Sequence, residues 1–286
     1  MIPDESEILK IVDFALAEDL GDGDHTSLAT VPEDAKGSAK LLVKDNGILA
    51  GVELAKMIFK RLDPKLEVQV FIGDGATVKK GDIAFVVSGS SRSILSAERL
   101  VLNFMQRMSG IATKTNELAS LIEDLPTEIL DTRKTTPCIR LMEKWAVRIG
   151  GGNNHRFALY DMIMIKDNHV DYAGGIKNAI IRTNKYLFEN KKDLRIEVET
   201  RNLDEVKQVL EVGDVDRIML DNFTPEQIKE ALQIIDTNLY ETEASGGIDE
   251  STLRAYAETG VDYISSGAIT HSYKSLDLSL KATFDH

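Results

Sequence analysis

Arg195-Ile-Glu-Val-Glu199 and Arg217-Ile-Met-Leu-Asp221 are two short apolar runs, each ending on a carboxylate. Both are short enough for buried strands and too short for helices. Between them, Asn202-Leu-Asp-Glu205 opens a stretch with Val206, Val209 and Leu210 on one helical face. A strand, a helix and a second strand imply parallel strands joined by a crossover. The same pattern extends in both directions. Glu128–Lys134 and Met162–Lys166 precede the pair, and Tyr240–Ser245 and Asp262–Ser266 follow it, which makes six strands. Thr224-Pro225-Glu226-Gln227 carries a Thr cap, a Pro in the first turn and a Gln in the capping-box position. Asp249 is expected to cap a helix holding Leu253, Tyr256 and Ala257 that ends near Gly260.

The strand-end residues Lys134, Lys166, Glu199, Asp221, Glu243 and Ser266 lie 32, 33, 22, 22 and 23 residues apart. Units of such regular size suit a barrel better than an irregular sheet. Barrel chemistry gathers at the C-terminal ends of the strands. Here those ends are lysines, carboxylates and small hydroxyl or glycine residues.

The first 110 residues read differently. Ile8, Leu9, Ile11, Val12 and Leu16 predict an amphipathic helix. Leu41–Val43, Val68–Phe71 and Ile83–Val87 predict strands, with Gly73-Asp74-Gly75 and Lys80-Gly81-Asp82 as turns. A helix from Ile94 to Met108 is expected to stop near Gly110. The resulting expectation is an α/β protein in two parts, the first of them an α/β or α+β domain. Residues 1–110 form an N-terminal α/β domain and 111–270 an α/β barrel, with the tail 271–286 packing back on the first part.

The composition narrows the function. The chain has 286 residues, 43% hydrophobic and 28% charged, as in ordinary globular domains. No apolar run is long enough to span a membrane. Met1-Ile-Pro-Asp-Glu-Ser-Glu7 has neither the basic nor the apolar region of a secretory signal, so a cytoplasmic enzyme is expected. A single cysteine, Cys138, leaves no internal disulfide and no cysteine-rich zinc site. A net charge of −13 argues against nucleic acid or an anionic membrane as partner. The charge is uneven, however. Residues 133–166 hold seven cations (Arg133, Lys134, Arg140, Lys144, Arg148, Arg156 and Lys166) against Glu143 and Asp161. That leaves +5 there and −18 over the remainder. A cationic island on an acidic protein points to a small anionic ligand.

Particular motifs carry this further. Asp131-Thr-Arg-Lys-Thr-Thr-Pro137 sets a carboxylate-binding fork beside a mobile point charge. In Gly150-Gly-Gly-Asn-Asn-His-Arg156 three glycines suggest a close backbone approach, with exposed N–H groups for an anion. Lys166-Asp167-Asn168-His169 ends the second barrel strand. Glu199 and Asp221 could bind a divalent metal, hold ribose hydroxyls or oppose a developing cation, or equally cap the helices that follow. Ser245-Gly-Gly247 and Ser266-Gly-Ala268 follow the last two strands, where such barrels place phosphates. Many cations, two carboxylates and a phosphate cradle describe an enzyme for a phosphorylated sugar and a carboxylated partner.

Together with Ile165-Lys-Asp-Asn-His169, Glu197-Val-Glu199, Leu220-Asp-Asn-Phe223, Gly267-Ala-Ile-Thr-His271, Glu18–Ser27 and Ser96–Phe104, these motifs resemble the quinolinate phosphoribosyltransferase family, in order along nearly the whole chain. The resemblance implies an N-terminal α/β sandwich and an incomplete six-stranded TIM-like barrel. It implies transfer of a phosphoribosyl group from phosphoribosyl pyrophosphate, with Mg2+, to quinolinate, releasing CO2 and pyrophosphate. It also implies a homodimer in which Arg99 completes the neighbour's site. Thr132, Arg133, Lys134, His155, Arg156 and Lys166 would bind substrate, above all the quinolinate carboxylates. Glu199 and Asp221 would hold ribose and the metal-bound substrate. Ser245, Gly246, Gly247, Ser266, Gly267 and Ala268 would take the 5′-phosphate, with His271 beside them. Lys134, Lys166, Glu199 and Asp221 would be catalytic. Three positions depart from the family pattern: Cys138 stands where glycine is usual, Trp145 replaces tyrosine and Ser266 an apolar residue. The rival readings are a molybdate-linked paralogue, against which Ile165–His169 argues, and a non-catalytic binding homologue. Retention of the charged site residues argues against the second.

Overall fold

The computed structural model describes residues 2–283, which fall into two compact units. The first gathers residues up to Asn116, Thr135–Gly151 and the chain from Ile269 onward. The second holds Glu117–Lys134 and Gly152–Ala268.

In the first unit the chain runs α1 (Glu5–Leu20), α2 (His25–Thr30), β1 (Lys36–Val43), β2 (Gly47–Ile48), α3 (Val52–Leu62), β3 (Glu67–Val70), β4 (Thr77–Val78), β5 (Ile83–Ser90) and α4 (Ser91–Ser120). Helix α5 (Arg140–Ile149) belongs here too, as does the last strand, Leu278–Thr283. That strand pairs antiparallel with β1, Leu41 opposite Leu280, in a four-stranded sheet completed by β5 and β3. Alternation buries Leu41, Val43, Phe85 and Val87. The apolar stripe of α3 supplies Leu54, Ile58 and Phe59 to the same core, and Phe59 meets Phe85 edge-on with ring centroids 6.0 Å apart.

Helix α4 does not stop at Gly110. It runs through that residue to Ser120, so the boundary expected near 110 falls inside a helix. The glycine serves packing instead. A Cβ there would collide with the backbone oxygen of Lys274 and lie 2.8 Å from the Tyr273 ring. By the same logic Gly150, at the end of α5, lies against Ala112 and Thr115 of α4.

The second unit contains β6 (Glu128–Leu130), β7 (Ile163–Ile165), α6 (Asp167–Ala173), α7 (Ile176–Asn190), β8 (Ile196–Thr200), α8 (Leu203–Val212), β9 (Arg217–Asp221), α9 (Pro225–Leu232), β10 (Glu241–Ser245), α10 (Leu253–Ala257) and β11 (Tyr263–Ser265). The six strands are parallel in the order β6-β11-β10-β9-β8-β7. Among the described residues no ladder joins β7 to β6, so the barrel is incomplete. Asn153 fills part of the gap as a parallel bridge to Leu130. Its N–H donates to Ile129 O at 2.8 Å, and its carbonyl accepts from Asp131 N. Helix starts follow the sequence signals. The Asn202 side chain accepts from Glu205 N at 3.0 Å, and Thr224 with Gln227 forms a full capping box. Asp249 differs: it caps a turn over Ser251 and Thr252, and α10 starts three residues later than such a cap would place it.

Strand alternation sets the barrel interior. Register pairs Glu197 with Arg217, Arg217 with Glu241, and Glu243 with Tyr263. Residues two apart share a face, so Glu199, Asp221 and Ser245 stand above Glu197, Arg217 and Glu243 at the C-terminal edge.

Candidate active site

The mouth of the barrel carries a Lys–carboxylate pair. Lys166 follows β7 and Glu199 lies in β8, and Lys166 Nζ donates to Glu199 Oε2 at 2.6 Å. Glu199 is buried and Lys166 half-exposed. Asp221 ends β9 beside them. Burial first, and the charge of Glu199 second, raise its carboxyl above the ordinary value, while Lys166 pulls the other way. Asn222 Nδ2 steadies Asp221 with a 2.6 Å bond to Oδ2. Asn222 itself is left-handed, at φ 57°, with its N–H on Ser245 O at 2.8 Å.

Gly246 makes that arrangement possible. It sits at φ +98°, and a Cβ would lie 2.7 Å from Asn222 Cγ and 2.9 Å from its backbone N. Gly247, at φ +63°, faces open space. Among the described residues no protein group accepts from the Gly246 or Gly247 amides, as a phosphate cradle requires. Ser266 is buried and its N–H is used on Leu130 O, while Gly267 precedes the short helix α11 (Ala268–His271).

Two guanidinium groups, Arg133 after β6 and Arg156 before β7, approach each other. Burial first, and the charge of Arg133 next, pull Arg156 below its ordinary value. Arg156 Nη1 donates to Met162 O at 3.1 Å. Arg133 Nε is buried without a hydrogen-bond partner. Like charges held together with a buried donor unmet suit an anion. Lys134 is exposed, and its N–H takes the Thr132 hydroxyl at 3.0 Å.

The glycine-rich segment is built differently from its sequence reading. Five of its seven amides are taken by protein acceptors: those of Gly150, Gly151, Asn153, His155 and Arg156. Gly151 is needed for its φ of +93°. His155 turns into the barrel interior, with Nε2 2.8 Å from Glu197 and 3.4 Å from Glu243, while Nδ1 accepts Arg156 N–H at 2.7 Å. Burial would lower the His155 pKa, but the two carboxylates outweigh it and hold it up at about 9. The Arg156 amide opposes this, because it occupies the lone pair a second proton would take. Glu197 is pushed up by burial and by Glu243. Glu243 is held down despite burial by His155, Ser265 and Arg217.

The cationic island therefore divides. Arg133, Lys134, Arg156 and Lys166 lie in the barrel unit. Arg140, Lys144 and Arg148 lie on α5 in the other unit, where Arg140 donates to Thr135, Lys144 is buried and Arg148 is exposed. Glu143, fully buried on α5, accepts from Arg107 at 2.8 Å. Arg99 and His271 also belong to the first unit, and His271 Nδ1 lies 2.7 Å from Ser272 Oγ. The sequence reading gave no role to Glu197, Arg217, Asp131 and Asn222, and it placed Glu243 at a strand end, whereas β10 runs on to Ser245 and Glu243 lies inside the barrel. A signal was available for Glu197 and Glu243: Ile-Glu-Val-Glu and Glu-Thr-Glu-Ala put a second carboxylate two residues after or before each, on the same strand face.

Fold and mouth together define an incomplete α/β-barrel protein built to hold an anionic substrate. Residues 24–109 match the N-terminal domain and residues 111–281 the C-terminal domain of quinolinate phosphoribosyl transferase, so the chain belongs to that family. It is 49% identical to a rice protein named nicotinate-nucleotide pyrophosphorylase (carboxylating), chloroplastic, over 96% of this chain and 77% of that one. It is 40% identical to a Bacillus subtilis protein named as a probable nicotinate-nucleotide pyrophosphorylase (carboxylating), covering 98% and 95% of the two chains. The crystal structure of NadC from Streptococcus pyogenes superposes with a TM-score of 0.92 at 38% identity over 99% of both chains.

Proposed function

We propose that this protein transfers the phosphoribosyl group of phosphoribosyl pyrophosphate to the ring nitrogen of quinolinate, with loss of CO2, giving nicotinate mononucleotide. The observation that carries the reading is the buried, unmet Arg133 Nε beside Arg156, which bonds to Met162 at the start of the strand leading to Lys166, in the same unit as the Lys166–Glu199 pair and Asp221. The cations suit a dicarboxylate, and the two carboxylates suit a sugar that becomes cationic.

In the reaction the pyridine nitrogen forms a bond to the anomeric carbon as the bond to pyrophosphate breaks, and pyrophosphate leaves with the electron pair. Glu199 and Asp221 oppose the positive charge that grows on the ribose. The ring nitrogen is then cationic, so the electrons of the breaking bond to CO2 are held at the adjacent carbon until a proton replaces the carboxylate. Arg133, Lys134, Arg156 and Lys166 hold the acceptor's carboxylates, and the work of the protein is positioning and charge placement. Thr132 shapes the turn that presents Arg133 and Lys134. Gly246 and Gly247, with Ser245 and Ser266–Ala268, hold the 5′-phosphate. Mg2+ arrives with the diphosphate substrate. Glu199 and Asp221 fit it, because their mutual repulsion is what a hard cation relieves.

Arg99 from a second copy completes the acceptor site, which makes the active form a homodimer. A cytoplasmic setting belongs to the same reading, although the rice relative is named chloroplastic. No helix among the described residues is long and apolar enough to cross a membrane. The test is incubation with quinolinate, phosphoribosyl pyrophosphate and Mg2+, following CO2 and nicotinate mononucleotide. Absence of product, or equal use of nicotinate, overturns the proposal.

A further inference from the structure

Barrels of this type normally fill their interior with branched aliphatic side chains. Here Glu197 of β8, Arg217 of β9 and Glu243 of β10 are buried there together. Arg217 Nη1 donates to Glu243 at 2.9 Å, and its guanidinium lies over the Tyr263 ring at 4.2 Å. The reaction outlined above uses none of these side chains. Stability alone is a weak reason to keep them, since buried ion pairs are commonly no better than apolar residues of the same volume. The two carboxylates share Arg217 within the interior and His155 on the way to the mouth, and the charge of Glu197 also reaches Arg156 directly.

The segment from Asn153 to Arg156 is stapled at three places. Asn153 bridges β6. Asp131 accepts His155 N–H at 2.9 Å and Asn154 Nδ2 at 2.6 Å. The His155 ring anchors the third point, reaching Glu197 and Glu243 through Nε2 and the Arg156 amide through Nδ1.

We propose that Glu197 and Glu243 are positioning residues: from the barrel interior they fix the His155 ring, and through it the backbone of Arg156, where Arg156 receives the acceptor's carboxylate. The proposal rests on the reading of Arg156 as an acceptor ligand. The charged groups facing His155 are Glu197, Glu243 and, behind Glu243, Arg217, with Asp131 on its amide and Arg156 beyond its ring.

The experiment compares the full-length protein with Glu197→Gln, which keeps shape and removes charge. Steady-state kinetics should show the KM for quinolinate raised roughly 10- to 100-fold, as when a group that orients a ligand residue is lost, with the KM for phosphoribosyl pyrophosphate unchanged. In an Arg156→Lys background the same substitution should have little further effect. Amide exchange at His155 and Arg156 should quicken while the β8–β9 ladder stays protected. Unchanged quinolinate KM and unchanged exchange at these amides, with only a lower melting temperature, overturn the proposal. If Glu197→Gln does not fold, Glu243→Gln carries the test, with the same pattern expected. If the unsubstituted protein does not use quinolinate, the functional reading has failed. The exchange measurement then decides separately whether the cluster holds the segment.

Discussion

Replacing Gly246 by alanine tests whether the phosphate side of the mouth and Asp221 are mechanically one unit. The new Cβ meets two difficulties. At φ +98° an L-residue is strained, at about 1–2 kcal/mol. It would also lie 2.7 Å from Asn222 Cγ and 2.9 Å from Asn222 N, where ordinary contact begins near 3.4 Å. The side chain alone cannot yield, because one clashing atom is backbone and Asn222 Nδ2 is tied to Asp221. Overpacking of this kind adds about 1–3 kcal/mol, so the expected destabilisation is about 2–5 kcal/mol. Gly247→Ala is the control. It has positive φ but open space, and should cost only about 1–2 kcal/mol. Urea unfolding of both variants gives the difference. Because Asn222 steadies Asp221, Gly246→Ala should also lower kcat, on the order of 10²-fold for a shift near 1 Å. Equal stability of the two variants, together with full kcat in Gly246→Ala, would refute the reasoning.

Other consequences are simpler. Lys166→Ala should leave the fold intact and reduce kcat/KM by about 10²–10³-fold, and full activity in a folded variant would sink the role given to Lys166. Asp221 should titrate above the ordinary 3.8, so the proton it carries in the folded state favours folding at low pH and that contribution is lost as pH rises through the folded value. Glu199→Gln should bring the Asp221 titration down, as followed by carboxyl 13C shifts. Gly110→Ala should be destabilising despite the higher helix propensity of alanine, which in an exposed helix would stabilise by about 1 kcal/mol. A higher denaturation midpoint for that variant would show that the approach of Lys274 O is soft.

How far the chain could be read varied with the range of the interaction. The strands of the barrel were legible because their apolar runs end abruptly in polar residues. The caps at Asn202 and Thr224 were legible because a cap acts on an amide within its own turn. Gly110 misled for the opposite reason. A glycine inside a helical stretch is locally a stop signal, and only the approach of residues 273 and 274 reveals it as a packing contact. Cys138 shows a third case. It adopts φ 69°, the left-handed region that glycine enters without strain and other residues rarely adopt, which no local signal around Pro137 announces. The triple glycine was read as an anion nest, yet the Gly150 and Gly151 amides close the end of α5 on Ala146 and Arg148, and Asn153 pairs with β6.

The sequence by itself determined the six strands, most of the polar residues near their C-terminal ends and the charge asymmetry, all of which are properties of spacing and residue type, though β6 stops at Leu130 short of Lys134 and β10 runs past Glu243 to Ser245. Tertiary structure decided which cations share a site. Arg133, Arg156 and Lys166 are brought to one unit, while Arg140, Lys144 and Arg148 go with α5 to the other. It also decided what His155 faces. Residues on β8 and β10 become neighbours only when the sheet curves around β9, and no spacing along the chain records that curvature.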